Sequence, residues 1–200
     1  DLTWKESPYG SFSDYVIMNP YDAPYDEYGR VNKTMSWEMA NPLFEAECGN
    51  YDEGASRSFT NTLSFRWDVL PGFFINGTGT IVTSRERTEK FISPESNEFK
   101  DVANRSEQGS LSINNIRRLS YEGKFVVNYA KNLGEDYLLT LHGGFDISKK
   151  TQTMDGYTAY GFYKSSLHAP NFAAGFGEGR RPTGTDDIET SVGPFINANF

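Results

Sequence analysis

Hydrophobic and polar side chains alternate with period two over four stretches between residues 57 and 150, the pattern of β-strands whose two faces meet different surroundings. Over 57–70 the odd positions carry Phe59, Leu63, Phe65, Trp67 and Val69, and the even ones carry Ser58, Thr60, Thr62, Ser64, Arg66 and Asp68. Arg57, Asn61 and Leu70 depart from the rule. Pro71-Gly72 supplies a tight turn, proline setting its own φ and glycine accepting a positive one. A second strand, 73–86, sets Phe73, Ile75, Gly77, Gly79 and Ile81 against Asn76, Thr78, Thr80 and Ser84. A third, 117–132, sets Leu119, Tyr121, Gly123, Phe125, Val127 and Tyr129 against Arg118, Ser120, Glu122, Lys124 and Asn128. Beyond a short turn at Gly134-Glu135, a fourth over 137–150 sets Tyr137, Leu139, Leu141, Phe145 and Ile147 against Thr140, His142, Asp146 and Ser148. A last strand is expected over 188–200, its facing left open by Gly193-Pro194. Paired in sequential order, these five strands predict an all-β antiparallel meander.

The connections sort by length. Short turns follow residues 70 and 133, whereas long polar or Gly/Tyr/Ser/Pro-rich loops occupy 87–108 and 152–187. Residues 1–56, punctuated by Pro8, Pro20, Pro24 and Pro42, read mostly as a further long loop with short extended pieces, with room for one helical turn over Ser36–Asn41. All short turns therefore lie at one end of the sheet and all long loops at the other. That is the layout of part of a transmembrane β-barrel with short periplasmic turns and long extracellular loops. On this reading Phe59, Leu63, Phe65, Trp67, Phe125, Val127, Leu139 and Leu141 face lipid. Arg66, Asp68, Arg118, Glu122, Lys124, His142 and Asp146 face a wet lumen. Trp67, Phe73, Tyr129 and Tyr137, all close to the short turns, form an aromatic belt. Periodicity alone also fits a soluble sandwich, which makes a secreted β-domain binding carbohydrate the alternative. No apolar run approaches the roughly 18 residues of a membrane-spanning helix.

Composition agrees with a strand-and-turn protein: aromatics are 15% and glycines number 19 in 200 residues. With 19 Lys+Arg against 27 Asp+Glu the net charge is −8, which argues against a general nucleic-acid partner. Cys48 stands alone and has no internal disulfide partner. The chain opens at Asp1 without methionine or a signal segment and closes at Asn199-Phe200 within a strand-like pattern. It is expected to be an internal piece of a longer protein.

Three blocks resemble the SusC/RagA family of TonB-dependent outer-membrane transporters: 9–26 (Tyr-Gly-Ser-Phe-Ser-Asp-Tyr-Val-Ile-Met-Asn-Pro-Tyr-Asp-Ala-Pro-Tyr-Asp), 41–46 (Asn-Pro-Leu-Phe-Glu-Ala) and 63–72 (Leu-Ser-Phe-Arg-Trp-Asp-Val-Leu-Pro-Gly). The resemblance implies a fragment of the barrel domain of an importer in the bacterial outer membrane. It also implies oligosaccharide or peptide cargo, a SusD-like surface lipoprotein as partner, and coupling to TonB through a region that this sequence does not contain. The plug domain and TonB box have no counterpart here.

Candidate chemistry is limited. Tyr15, Tyr21, Tyr25 and Tyr28 stand among carboxylates and amides, the residue types that stack on and hydrogen-bond to sugars or peptides; packing between loops is the competing reading. Asp22, Asp26 and Glu27 lack the spacing of a calcium loop, and His142 and His168 have no zinc spacing with Cys48. Gly175–Arg181 lacks the Gly-Lys-Ser/Thr of a phosphate loop. No cofactor or metal is expected, and no nucleophile elbow or paired catalytic carboxylates stand out, so the chain is not read as an enzyme. A weaker reading, glycan cleavage by Asp22, Asp26 or Asp186, rests on acidic residues alone.

Overall fold

The computed structural model describes residues 2–5, 16, 21–134, 136–177 and 179–199. It is an antiparallel sheet whose long strands are β2 (Tyr51–Leu70), β3 (Phe73–Ile92), β4 (Ser110–Leu133), β5 (Tyr137–Tyr160) and β7 (Thr183–Asn199). Short strands β1 (Leu2–Lys5) and β6 (Gly175–Phe176) add to it. The order is β1-β2-β3-β4-β5-β6, with β7 also paired to β5. The five predicted strands thus form the expected all-β meander, and no helix of the described residues is long and apolar enough to cross a membrane.

The strands run further than the hydrophobic period indicated. β4 and β5 are 24 residues each, far more than the roughly 9–11 tilted residues that cross a bilayer. The loop expected at 87–108 shrinks to 93–109, and that at 152–187 to 161–182, with β6 inside it. Charges conceal the extra strand in the sequence. Arg87, Glu89 and Lys90 interrupt the apolar period, yet they are held in strand by an Arg87–Glu89 ion pair at 2.8 Å and a cross-strand Lys90–Asp52 pair at 3.9 Å.

Residues 1–56 contain more regular structure than their sequence pattern marks. They contain β1, paired to β2 from Leu2 opposite Ser56 to Lys5 opposite Glu53, and the first residues of β2 itself. They also contain helix α1 (Pro42–Glu47). The helical turn over Ser36–Asn41 is a 3-10 turn at Ser36–Glu38 instead. Trp37 and Glu38 adopt positive φ there, and the true helix starts at Pro42, where proline tolerates the missing N–H.

Side-chain contacts fix the register. In the second unit Arg118–Gln152, Lys124–Asp146, Phe125–Phe145 and Asn128–His142 share one β4–β5 register, and in the first unit Ser112 bonds Thr158. β7 settles the facing that its sequence left open. Ser191 bonds Ser148 at 2.9 Å and Phe195 lies against Gly144 and Lys124, so the odd residues of β7 join the even residues of β5 on the polar face. Ile188, Val192 and Ile196 consequently fall on the apolar one.

The chain divides into two compact units. The first comprises Asp1–Ser56, Glu86–Asn115 and Asp155–Gly184; the second comprises Arg57–Arg85, Ile116–Met154 and Thr185–Phe200. The first unit has an ordinary core of Phe91, Leu111, Ile113, Ala159 and Phe162, with Tyr51, Tyr157 and Ala173 packed against it. Among the described residues, every buried hydrophobic side chain belongs to this unit. The second unit is a bare two-faced sheet.

Candidate functional site

In the first unit the tyrosine-bearing loop is shaped by two polar side chains. The Asp26 carboxylate accepts the backbone N–H groups of Tyr28 (2.9 Å) and Arg30 (2.8 Å) and the Arg30 side-chain Nε (2.8 Å). These bonds, led by the backbone N–H of Arg30, hold its carboxyl below the usual range. Tyr25 bridges to Val31 across the turn. Asn41 fastens the loop from beneath. Its side-chain oxygen caps α1 at the Leu43 N–H (3.1 Å), while its amide nitrogen donates to the carbonyls of Pro24 (3.0 Å) and Asn32 (2.7 Å). Fully buried, it ties the Asn41-Pro-Leu block to the tyrosine block.

On that frame Tyr21, Tyr25 and Tyr28 are 92%, 50% and 75% exposed, and Arg30 lies 5.2 Å over the Tyr28 ring. Tyr15 lies outside the described residues. The carboxylate of Glu45 provides a second anchor, accepting from Asn50 (2.9 Å), Ser96 (2.7 Å) and both the backbone and side-chain nitrogens of Asn97 (2.7 and 3.0 Å). Sequence reasoning did not find this hub, because Ser96 and Asn97 lie 51 and 52 residues from Glu45 and no local motif marks them. Nearby Cys48 is buried, and burial pushes its thiol up to about 12, so it is inert.

A cleft of about 640 Å³ in the same unit is lined by Trp4, Tyr51, Glu53, Arg87, Glu89 and His168, among others. The Tyr51 hydroxyl donates to Glu89 at 2.7 Å, and the His168 ring meets Tyr51 edge-on at 5.6 Å. His168 also packs on Phe91, so it works as part of the core's cover. Among the described residues no group of His, Cys, Asp and Glu is placed to hold a metal.

In the second unit the even residues of β2 to β5 share one polar face. Arg66 pairs with Asp68 at 2.8 Å and lies 4.0 Å over Phe74. Arg118 donates to Gln152 at 2.7 Å, Lys124 approaches Asp146 at 3.6 Å, and His142 Nδ1 shares a 2.7 Å hydrogen bond with Asn128. Glu122, Lys124 and Asp146 border one cleft of about 390 Å³ with Thr78, Thr80 and Ser191. Arg118, Lys150, Gln152, Asp187 and Glu189 border another of about 450 Å³. The arrangement is a wall of mutually compensated charges and hydroxyls, suited to many weak polar contacts.

The odd residues of the same strands form the apolar face. Phe59, Leu63, Phe65 and Trp67 are between 53% and 73% exposed. Leu141 is exposed too, and Phe125, Val127 and Leu139 are half-buried; none of the eight lies beneath a second layer. Neighbouring rings support one another, Phe125 stacking on Phe145 at 5.6 Å and Phe73 meeting Tyr129 edge-on at 6.5 Å.

No protein-family model and no curated protein matches the sequence. Solved structures share the fold. The RagAB peptide importer in the "closed-closed" state superposes with a TM-score of 0.70 at 16% identity, over 88% of this chain and 20% of that one. The RagAB peptide transporter superposes with a TM-score of 0.64 at 14% identity, over the same shares. The chain therefore spans about a fifth of the length of these solved chains, and the resemblance read in the residue blocks finds its counterpart in the fold.

Proposed function

We propose that this chain is a segment of the barrel domain of a TonB-dependent importer in the bacterial outer membrane, working with a SusD-like surface lipoprotein and carrying peptides or oligosaccharides. The observation that carries this reading is the second unit: an amphipathic sheet of 84 residues without a buried apolar side chain among those described. In water such a sheet would leave aromatic and aliphatic surface exposed well beyond what soluble monomers tolerate, whereas lipid is a proper solvent for it. A soluble carbohydrate-binding module needs a second layer over that face, so the reading stands against it. The long loops then lie on the cell exterior, where Tyr21, Tyr25 and Tyr28 meet cargo or the lipoprotein, and the even-numbered charges line the lumen. The fold's likeness to a peptide importer favours peptides among the cargo.

The test is calorimetric titration of the complete purified protein with candidate peptides and oligosaccharides, alongside a variant carrying Tyr21→Ala and Tyr25→Ala. Each lost stacking contact weakens capture by on the order of 1 kcal/mol, about fivefold, without unfolding the protein. Unchanged affinity would remove these tyrosines from the site; turnover of the ligands by the purified protein would overturn the importer reading.

A further inference from the structure

The apolar face of the second unit is not uniform. A cleft of about 460 Å³ opens on it, walled by Phe125, Val127, Tyr129, Leu141, Phe145 and Ile196, with Gly143 among its lining residues. Two adjacent glycines stand here and only one is explained by packing. At Gly144, on the polar face, a Cβ would collide with the carbonyl oxygen of Phe125 and crowd the Phe195 ring, so no larger residue fits. At Gly143 a Cβ would meet only the Phe195 carbonyl at 3.9 Å, and the backbone does not need positive φ. A strand-interior glycine destabilises by roughly 0.5–1 kcal/mol relative to alanine. Gly143 carries that penalty without a steric reason, and what it leaves is the open floor of the cleft.

One end of the cleft has a distinct chemistry. Tyr129 lines it, and by strand alternation Lys131 follows on the same face, toward the Gly134 turn; Tyr137 lies across the ladder at that end. An apolar cleft with a lysine one alternation beyond its wall residue Tyr129, on the same face, is complementary to an acyl chain carrying an anionic phosphate.

We propose that this cleft is a structural lipid site that holds one acyl chain of a glycerophospholipid over Gly143, with its phosphate at Lys131. The proposal rests on the membrane reading above. It goes further in naming one seated lipid where that reading requires only bulk contact.

The complete protein, delipidated in detergent and re-exposed to phosphatidylglycerol, is examined by native mass spectrometry as wild type and as Gly143→Leu, Gly79→Leu and Lys131→Gln. Gly79 is the control, since a side chain there also meets open space but lies outside the cleft lining. Gly143→Leu is expected to weaken retention of the lipid adduct about tenfold or more by filling the slot, while Gly79→Leu retains it. Lys131→Gln is expected to weaken phosphatidylglycerol but not uncharged diacylglycerol. Equal retention in Gly143→Leu and wild type would overturn the site, as would a wild-type dimer that Gly143→Leu abolishes, which would make the occupant a second copy. A nitroxide at Leu63→Cys in a Cys48→Ser background, read in vesicles by its accessibility to oxygen against a polar nickel chelate, tests the membrane reading separately. Oxygen-dominated accessibility with unchanged lipid retention would sink the seated lipid alone, and nickel-dominated accessibility would sink both.

Discussion

Asn41 shows how much one side chain can decide. It has three hydrogen-bonding partners and no exposure, and they belong to three different pieces of chain: Pro24, Asn32 and the first turn of α1. Removing a buried group leaves its partners unsatisfied, at about 1–3 kcal/mol for a neutral network. Asn41→Ala is therefore expected to lower stability by that amount and to speed amide exchange across 21–47. Asn41→Asp keeps the helix cap but turns an acceptor toward two carbonyls, so it should lose nearly as much; thermal unfolding and exchange of both variants provide the check. Recovery of full stability by Asn41→Asp would mean that the cap alone matters. The sequence presented this residue only as part of a recognisable block. Its partners, 9 and 17 residues away, could not be seen in any period or spacing.

At the level of the strand, alternation was legible wherever the two faces differ in chemistry. The odd apolar residues of 57–70 and 117–132 and the even charged ones fall on opposite faces of the sheet, because successive side chains of a strand alternate. Alternation became illegible where both faces are polar or where chain covers the sheet: Arg87, Glu89 and Lys90 lie in strand although their pattern reads as loop. Strand β7 resisted for another reason, since its register on β5 is set by contacts such as Ser191–Ser148 and not by its own short period. The proposed face assignment has a sharp energetic consequence if the sheet lies in a bilayer. Phe125→Arg places a charge on the apolar face at a cost of about 2–4 kcal/mol near the membrane midplane. Glu122→Arg, on the polar face beside Thr80 and Lys124, should be nearly neutral for folding. Refolding titrations of both variants of the complete protein in vesicles measure the contrast, and equal losses would reverse the orientation.

At the scale of the whole molecule the two units are stabilised by different means. The first is held by what it buries: Phe91 meets Phe162 edge-on at 5.3 Å and stacks near Tyr51 at 5.7 Å, and Leu111 is fully enclosed. The second has ladders, cross-strand pairs and a face of exposed rings, but no enclosed apolar side chain among the described residues. Burial at about 25 cal/mol per Å² of apolar area is the dominant favourable term in folding, and on the proposed membrane reading that term comes, for the second unit, from lipid or detergent. Amide exchange of the complete protein should therefore respond unevenly as detergent is diluted toward its critical concentration. Protection across 57–85 and 116–154 is expected to fall by orders of magnitude while the amides of Phe91, Leu111 and Ile113 keep theirs, because local opening free energies follow local burial. The neutral way to read the experiment is as a ratio of protection between the two sets of amides at each detergent concentration. A ratio that stays constant throughout would mean that the bare face has a protein cover, and the membrane would lose its role as the solvent of that face.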